Sequence, residues 1–211
     1  MPKIDKPVQP LADVNVIKQK NGSHEIVVCF IPDPDLLIPE GNSRAILALD
    51  ASLSIKGMYG GGGVFGSDVA PNYVQAVARK IGAILCGVCR SGKSSATYWA
   101  VSPDGGKIEG IGEFDEAGWA NASIPGPKKE KWGRGTKLLP VLQHTIDQIA
   151  TGADWTMGVI VTDGIIEDEQ DCITYCLKIG QDIVAGKLKP VKLVLIGIGE
   201  QVDEEQLERF D

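Results

Sequence analysis

From Arg44 onward, short apolar runs alternate with stretches of helical periodicity. Ala45-Ile46-Leu47-Ala48-Leu49 is continuously apolar, as a strand buried on both faces requires. After a glycine-rich loop, Ser67 or Asp68 is placed to cap a helix, with Pro71 near its first turn. Val74, Val77, Ile81, Ile84, Leu85 and Val88 recur at helical spacing and predict one apolar stripe along that helix. Ser95 to Val101 and Lys107 to Phe114 read as strands joined by the turn Pro103-Asp104-Gly105-Gly106. Residues 115–135 read as a long loop, and Leu138 to Ala150 as a helix that tolerates Pro140 near its start. Thr156 to Thr162 is a second buried strand, Glu169 to about Ala185 a helix, Val191 to Ile198 a third strand, and Asp203 to Phe210 the beginning of a helix. Such alternation predicts right-handed crossovers and an α/β fold: a doubly wound, Rossmann-like, mostly parallel sheet flanked by helices.

Residues 1–43 follow another pattern. Six prolines punctuate them, and the β-rich runs Val14-Asn15-Val16-Ile17 and Glu25-Ile26-Val27-Val28-Cys29-Phe30 flank Lys20-Asn21-Gly22-Ser23. Asn-Gly between such runs predicts a hairpin, so the chain divides into an N-terminal β-hairpin extension, 1–43, and a main domain, 44–211.

Length and charge narrow the class. The 211 residues, 43% hydrophobic and 23% charged, suit a single core-bearing domain with an appendage. A formal charge of −7 argues against a nucleic-acid binder, which needs a basic face. Apolar runs of strand length predict no membrane insertion. The start, Met1-Pro2-Lys3-Ile4-Asp5-Lys6, lacks the apolar core of a secretory signal, and five cysteines without framework spacing fit reduced thiols, so the expected compartment is the cytoplasm.

Three motifs invite a stronger reading than their context allows. Gly61-Gly62-Gly63-Val64-Phe65-Gly66 fits the dinucleotide fingerprint, but the preceding strand ends near Asp50, some ten residues early, and no acid follows at the ribose distance. Gly87 to Ser94 matches G-x-x-x-x-G-K-S, yet it is predicted to follow a helix and open a strand, the inverse of a phosphate-binding loop. Cys86 and Cys89, with Cys172 and Cys176, have the numbers for a zinc site, but the first pair falls at a helix C-terminus and free cysteines commonly act as small core residues.

A fourth constellation is better placed. Asp50-Ala51-Ser52-Leu53-Ser54 and Thr162-Asp163-Gly164 each follow a buried strand, and Gly135-Thr136 opens the intervening helix. In a doubly wound sheet these loops converge at the carboxyl edge, where ligands bind. Asp50, Ser52, Ser54, Thr136 and Asp163 offer two carboxylates and three hydroxyls, an oxygen set that suits Mg²⁺ with waters completing its octahedron; Mn²⁺ or Ca²⁺ is the alternative ion. Neutral hydroxyls leave such an ion short of negative charge and receptive to an outside carboxylate.

These residues, with Leu47-Ala48-Leu49-Asp50-Ala51-Ser52, Pro71 to Ala76, Val161 to Ile165 and Val194 to Gly199, resemble the von Willebrand factor A domain over about 44–211, with the bacterial cytoplasmic, copine-like and tellurite-resistance-associated branch the nearest in look. The resemblance implies a metal-ion-dependent adhesion site. Ser52, Ser54 and sometimes Thr136 would ligate the ion directly, Asp50 and Asp163 often through waters, and a partner's Asp or Glu would fill the open position. Leu53 stands where the family often has glycine. Relatives usually continue beyond the point where Asp211 falls, so either this chain is shortened or the hairpin replaces the missing edge.

The basic cluster Lys128, Lys129, Lys131, Arg134 and Lys137 surrounds the Thr136 loop and is expected to steer an acidic partner, with Trp132 an anchor or a packing residue. Glu167, Asp168, Glu169 and Asp171 read as helix-dipole compensation. His24 and His144 have no nucleophile-and-acid context, so no hydrolytic triad is expected. The sequence therefore predicts a non-enzymatic, metal-dependent protein-binding module whose partner presents an Asp or Glu carboxylate. The rivals are an NTPase using Lys93, Ser94 and Asp163, and a metal-independent scaffold.

Overall fold

A computed structural model describes residues 11–18, 24–30, 41–60, 71–199 and 202–210. By its contacts the chain separates into two compact units, Met1–Pro39 and Glu40–Asp211. In the first, strands β1 (Leu11–Lys18) and β2 (His24–Phe30) pair antiparallel, with Val14 opposite Val28 and Lys18 opposite His24. That register is the one expected of a hairpin; its proposed turn, Lys20 to Ser23, lies outside the described residues.

The second unit is the α/β sheet that the alternation predicts. Strands β3 (Ser43–Asp50), β4 (Lys93–Val101), β5 (Lys107–Asp115), β6 (Trp155–Thr162) and β7 (Val191–Gly197) run in the order β5-β4-β3-β6-β7. All neighbours are parallel except β4 and β5, which form an antiparallel edge. Central β3 exposes only Arg44, and Leu47 and Ala48 are wholly buried on its opposite faces. Each large aliphatic side chain so buried contributes about 1.5–3 kcal/mol.

Among the described residues five α-helices cover the sheet: α1 (Tyr73–Val88), α2 (Glu116–Asn121), α3 (Leu139–His144), α4 (Glu169–Val184) and α5 (Glu204–Glu208). One core gathers Leu47 and Leu49 with Leu85 of α1 and Trp119 of α2; the other joins Ala48 and Ile160 with Val141 of α3 and Cys172 of α4. Helix α3 continues as a π turn over Thr145–Ile149, which accommodates the Thr145 hydroxyl on the Val141 carbonyl at 2.8 Å.

Three expectations need correcting. Helix α1 is capped by Asn72, whose side chain accepts the Gln75 N–H at 2.8 Å, so Pro71 precedes the cap. Ser67, Asp68 and Gly61 to Gly66 lie outside the described residues. The inward stripe of α1 is only partly the predicted one: Val74 and Leu85 are buried and Ile81 and Val88 pack against the core, but Ile84 is 70% exposed and Val77 41%, while Ala78 and Gly82 are buried. Gly82 faces inward where Trp119 occupies the space beneath. A Cβ on Gly82 would stand 2.1 Å from the Trp119 ring, which is itself fixed by an indole N–H bond to Ser94 Oγ (2.7 Å). Trp119 belongs to α2, a helix inside the stretch read as loop, capped by Asp115 accepting the Gly118 N–H.

The acids after β6 do more than compensate a dipole. Asp168 accepts the N–H groups of Leu138 and Leu139, at 2.8 and 2.9 Å, and so caps α3 from 30 residues away. The buried Gln206 amide of α5 pairs with both backbone groups of Ile166 and donates to Glu169, which also binds Arg209. Arg209 and Gln206 hold the Glu169 carboxyl at about 2, below its ordinary 4.5. A depressed carboxyl pKa stabilises the fold above the unfolded value, and that stabilisation disappears as pH falls through the folded one. The melting-temperature difference between wild type and Glu169→Gln is therefore expected to shrink steadily from pH 4.5 to about 2; a difference that stays constant across that window contradicts this role.

Candidate functional site

Parallel pairing brings the carboxyl ends of β3 and β6 together, since Leu49 lies opposite Val161 and Asp50 opposite Trp99 of β4. Beyond Asp50 the chain turns sharply because Asp50 Oδ1 accepts the Ser52 N–H at 2.7 Å. Ser52 Oγ then lies 2.9 Å from Ser54 Oγ, and Ser54 Oγ donates to Asp163 Oδ1 at 3.1 Å. Four of the five predicted residues thus form one hydrogen-bonded chain. Thr136 closes the group: an ideal Cβ on Gly164 would lie 3.7 Å from Thr136 Oγ1 and 3.9 Å from Ser54 Oγ. Asp50, Ser52, Thr136 and Asp163 are buried, while Ser54 is open to solvent.

The Thr136 loop is seated by backbone contacts. Leu53 N–H donates to the Gly133 carbonyl (2.7 Å) and Gly133 N–H to the Ala51 carbonyl (3.1 Å), a short parallel bridge between Ser52 and Gly133. On its other side, Ser102 N–H donates to the Lys131 carbonyl and Trp132 bridges Val101. The end of β4 is shaped for this. Between Tyr98 and Val101 its pairing with β5 shifts by one residue, and Ala100 and Ser102 take positive φ of 54° and 74°. Such bulges re-aim a strand beside a site. Glu109 of β5 anchors the loop's start, accepting three backbone N–H groups, from Lys128, Lys129 and Glu130, at 2.8 to 3.0 Å.

Two contributors escaped the sequence reading. Thr162 Oγ1 donates to Asp50 Oδ2 at 2.8 Å, and Tyr59, in a 3₁₀ turn over Ile55–Tyr59, donates its hydroxyl to the Asp50 carbonyl at 2.6 Å. Thr162 carried a signal, since it stands beside Asp163 on a strand end; Tyr59, nine residues after Asp50, carried none. Burial pushes the Asp50 carboxyl up to about 6, against the lowering pull of the Ser52 N–H and the Thr162 hydroxyl. Burial also raises Asp163, against its bond from Ser54. Among the described residues the hydrogen-bond partners of these two carboxylates are neutral.

The other motifs separate from this site. Gly87 and Val88 end α1 and Lys93 opens β4, so the order is helix, loop, strand, as expected. Lys93 lies at the amino end of β4, opposite the sheet edge that bears Asp163, and Ser94 Oγ is buried between Gly82 and Trp119. Lys93, Ser94 and Asp163 therefore do not converge. Cys86 and Cys89 pack in one core and Cys172 in the other, and among the described residues no three His, Cys, Asp or Glu side chains gather as a metal cluster. The candidate set differs in kind, with two carboxylates and three hydroxyls. Trp132 packs under its loop, edge-on to Tyr59 at 5.0 Å between ring centres. Lys128, Lys129, Lys131 and Arg134 are exposed, and Lys137 pairs with Asp104 at 3.8 Å.

Among the described residues no helix is long and apolar enough to cross a membrane. The fold is a Rossmann-like α/β sheet, and in comparisons with protein-family models and with curated proteins nothing matches the chain.

Proposed function

We propose that this is a von Willebrand factor A-like binding module in which Asp50, Ser52, Ser54, Thr136 and Asp163 hold Mg²⁺ and the ion takes a carboxylate from an acidic side chain of a protein partner. The observation that carries this reading is the hydrogen-bonded chain from Asp50 through Ser52 and Ser54 to Asp163, with the Thr136 hydroxyl beside it. Its donors are oxygen only, and among the described residues the two buried carboxylates have no basic side chain as a hydrogen-bond partner; both features suit a hard dication. When bound, the ion supplies a Lewis-acidic position for the partner's carboxylate. The protein's part is to fix the donors: Thr162 and the Ser52 N–H orient Asp50, and the Gly133 bridge holds the Ser52–Ser54 turn.

The test is a pull-down on immobilised chain. A partner retained in Mg²⁺, released by EDTA and not retained by Asp163→Ala is expected. Retention that EDTA does not diminish overturns the metal-dependent reading and favours a metal-independent scaffold.

A further inference from the structure

Seven large hydrophobic side chains are exposed among the described residues, and two of them border this site: Leu53, 47% exposed, and Ile165, 60% exposed. Leu53 stands between Ser52 and Ser54, and Ile165 follows Gly164, whose Cβ position faces the Thr136 and Ser54 hydroxyls. The two loops meet through the Ser54–Asp163 hydrogen bond, so each loop that bears the oxygen cluster also carries one exposed aliphatic side chain. Neither is spare core. The Leu53 backbone is fixed by its bond to Gly133, while Ala51 and Ile55 on either side of it are wholly buried; on the other loop, Ile166 fills the core and leaves Ile165 outside.

Charge around the cluster selects what docks there. Exposed Arg134 lies between Gly133 and Gly135, and exposed Lys56 follows the serine turn, its ammonium 5.9 Å from the Trp132 ring centre. Against them stand Asp50, Asp163 and Glu167, whose carboxylate comes within 2.7 Å of the Cβ position of Gly135; Lys137 and Asp104 offset one another. Without a dication the carboxylates outnumber these cations by one, and with it the balance turns positive by one. The loaded site is thus an electropositive centre flanked by two aliphatic side chains.

We infer that the occupant is a short extended segment of a partner protein in which an Asp or Glu is flanked by large aliphatic residues, the acid meeting the ion and its neighbours covering Leu53 and Ile165. This rests on the metal-dependent reading above, and deepens it: Leu53 and Ile165 become specificity-determining residues. Partial cover of two aliphatic side chains is worth roughly a tenfold change in affinity.

The experiment titrates three synthetic peptides, Gly-Leu-Asp-Leu-Gly, Gly-Leu-Asn-Leu-Gly and Gly-Ser-Asp-Ser-Gly, into the Mg²⁺-loaded chain, with binding followed by NMR chemical shifts of the labelled protein. The first is expected to bind about tenfold more tightly than the third, and the asparagine peptide not at all. The double variant Leu53→Ser, Ile165→Ser is expected to lose the preference for leucine while keeping the wild-type thermal response to Mg²⁺. Equal binding of the leucine- and serine-flanked peptides, no binding of either, or an unchanged preference in the double variant overturns the inference. Absence of any Mg²⁺ response in the wild-type chain overturns the underlying metal reading instead.

Discussion

Magnesium is expected to raise the melting temperature of the wild-type chain, and Asp163→Ala to abolish that rise. An ion present at a hundred times its dissociation constant stabilises a fold by about 2.7 kcal/mol, which in a domain of this size is roughly 5–10 °C. Asp163 is the better residue to remove. Asp50 holds the Ser52 N–H and the Thr162 hydroxyl, so its loss damages the turn as well as the ion site. Asp163 accepts the Ser54 hydroxyl and feels a weaker pull from the Ser52 hydroxyl, and Ser54 is open to solvent, where water satisfies it instead. In EDTA the Asp163→Ala chain is accordingly expected to melt close to wild type. Lys93→Ala, at the other end of the sheet, is expected to keep the full response to Mg²⁺, and nucleotide to have no effect. Differential scanning calorimetry decides it. A wild type indifferent to Mg²⁺, or an Asp163→Ala chain that still responds, removes the metal from the account; a nucleotide response lost in Lys93→Ala reinstates the phosphate-binding alternative.

The largest purely structural effect is expected from Gly133→Ala. A Cβ there would lie 1.9 Å from the Ala100 carbonyl oxygen, and backbone on both sides leaves it no flexible neighbour to displace. Gly133 is also bonded to Ala51 and Leu53, so any retreat opens the bridge that fixes the serine turn. Overpacking of this kind costs about 1–3 kcal/mol, and the two strained backbone bonds place this case at the upper end. The variant is expected to unfold at lower denaturant, with its Mg²⁺ response reduced because the Ser52 and Ser54 hydroxyls are no longer held in register. Gly57→Ala, with nothing within 4 Å of its Cβ position, is the control and should leave both properties unchanged. Wild-type stability and metal response in Gly133→Ala refute the role given to this bridge.

How much of this was legible in the sequence depended on whether the information was local. The buried parallel strands were, because burial on both faces leaves uninterrupted runs such as Ala45 to Leu49. The convergence of Asp50 and Asp163 was as well, since a residue at the end of such a strand is placed by topology alone. The inward face of α1 was legible only in part: periodicity places Val74 and Leu85 in the core, whereas the packing at Gly82 is decided by Trp119, some 37 positions beyond it and in a stretch without strong pattern. Nor were the acids around Glu169, whose partners lie 30 to 40 residues away and whose spacing satisfies a helix dipole equally well. Glu109 is one of several charges in β5, and only the folded chain turns three loop amides toward it.

The aromatic packing has an optical consequence. Of the four tryptophans, Trp99 and Trp119 are sealed in the two cores with their indole N–H groups bonded, and Trp155 opens β6 at the far end of the sheet. Trp132 alone lies in the loop that carries Thr136, and its edge contact with Tyr59 links it to the Asp50 carbonyl. Its emission is thus expected to follow changes at the candidate edge over the background of the other three, so the native chain carries its own fluorophore at the position where an engineered label would otherwise be placed.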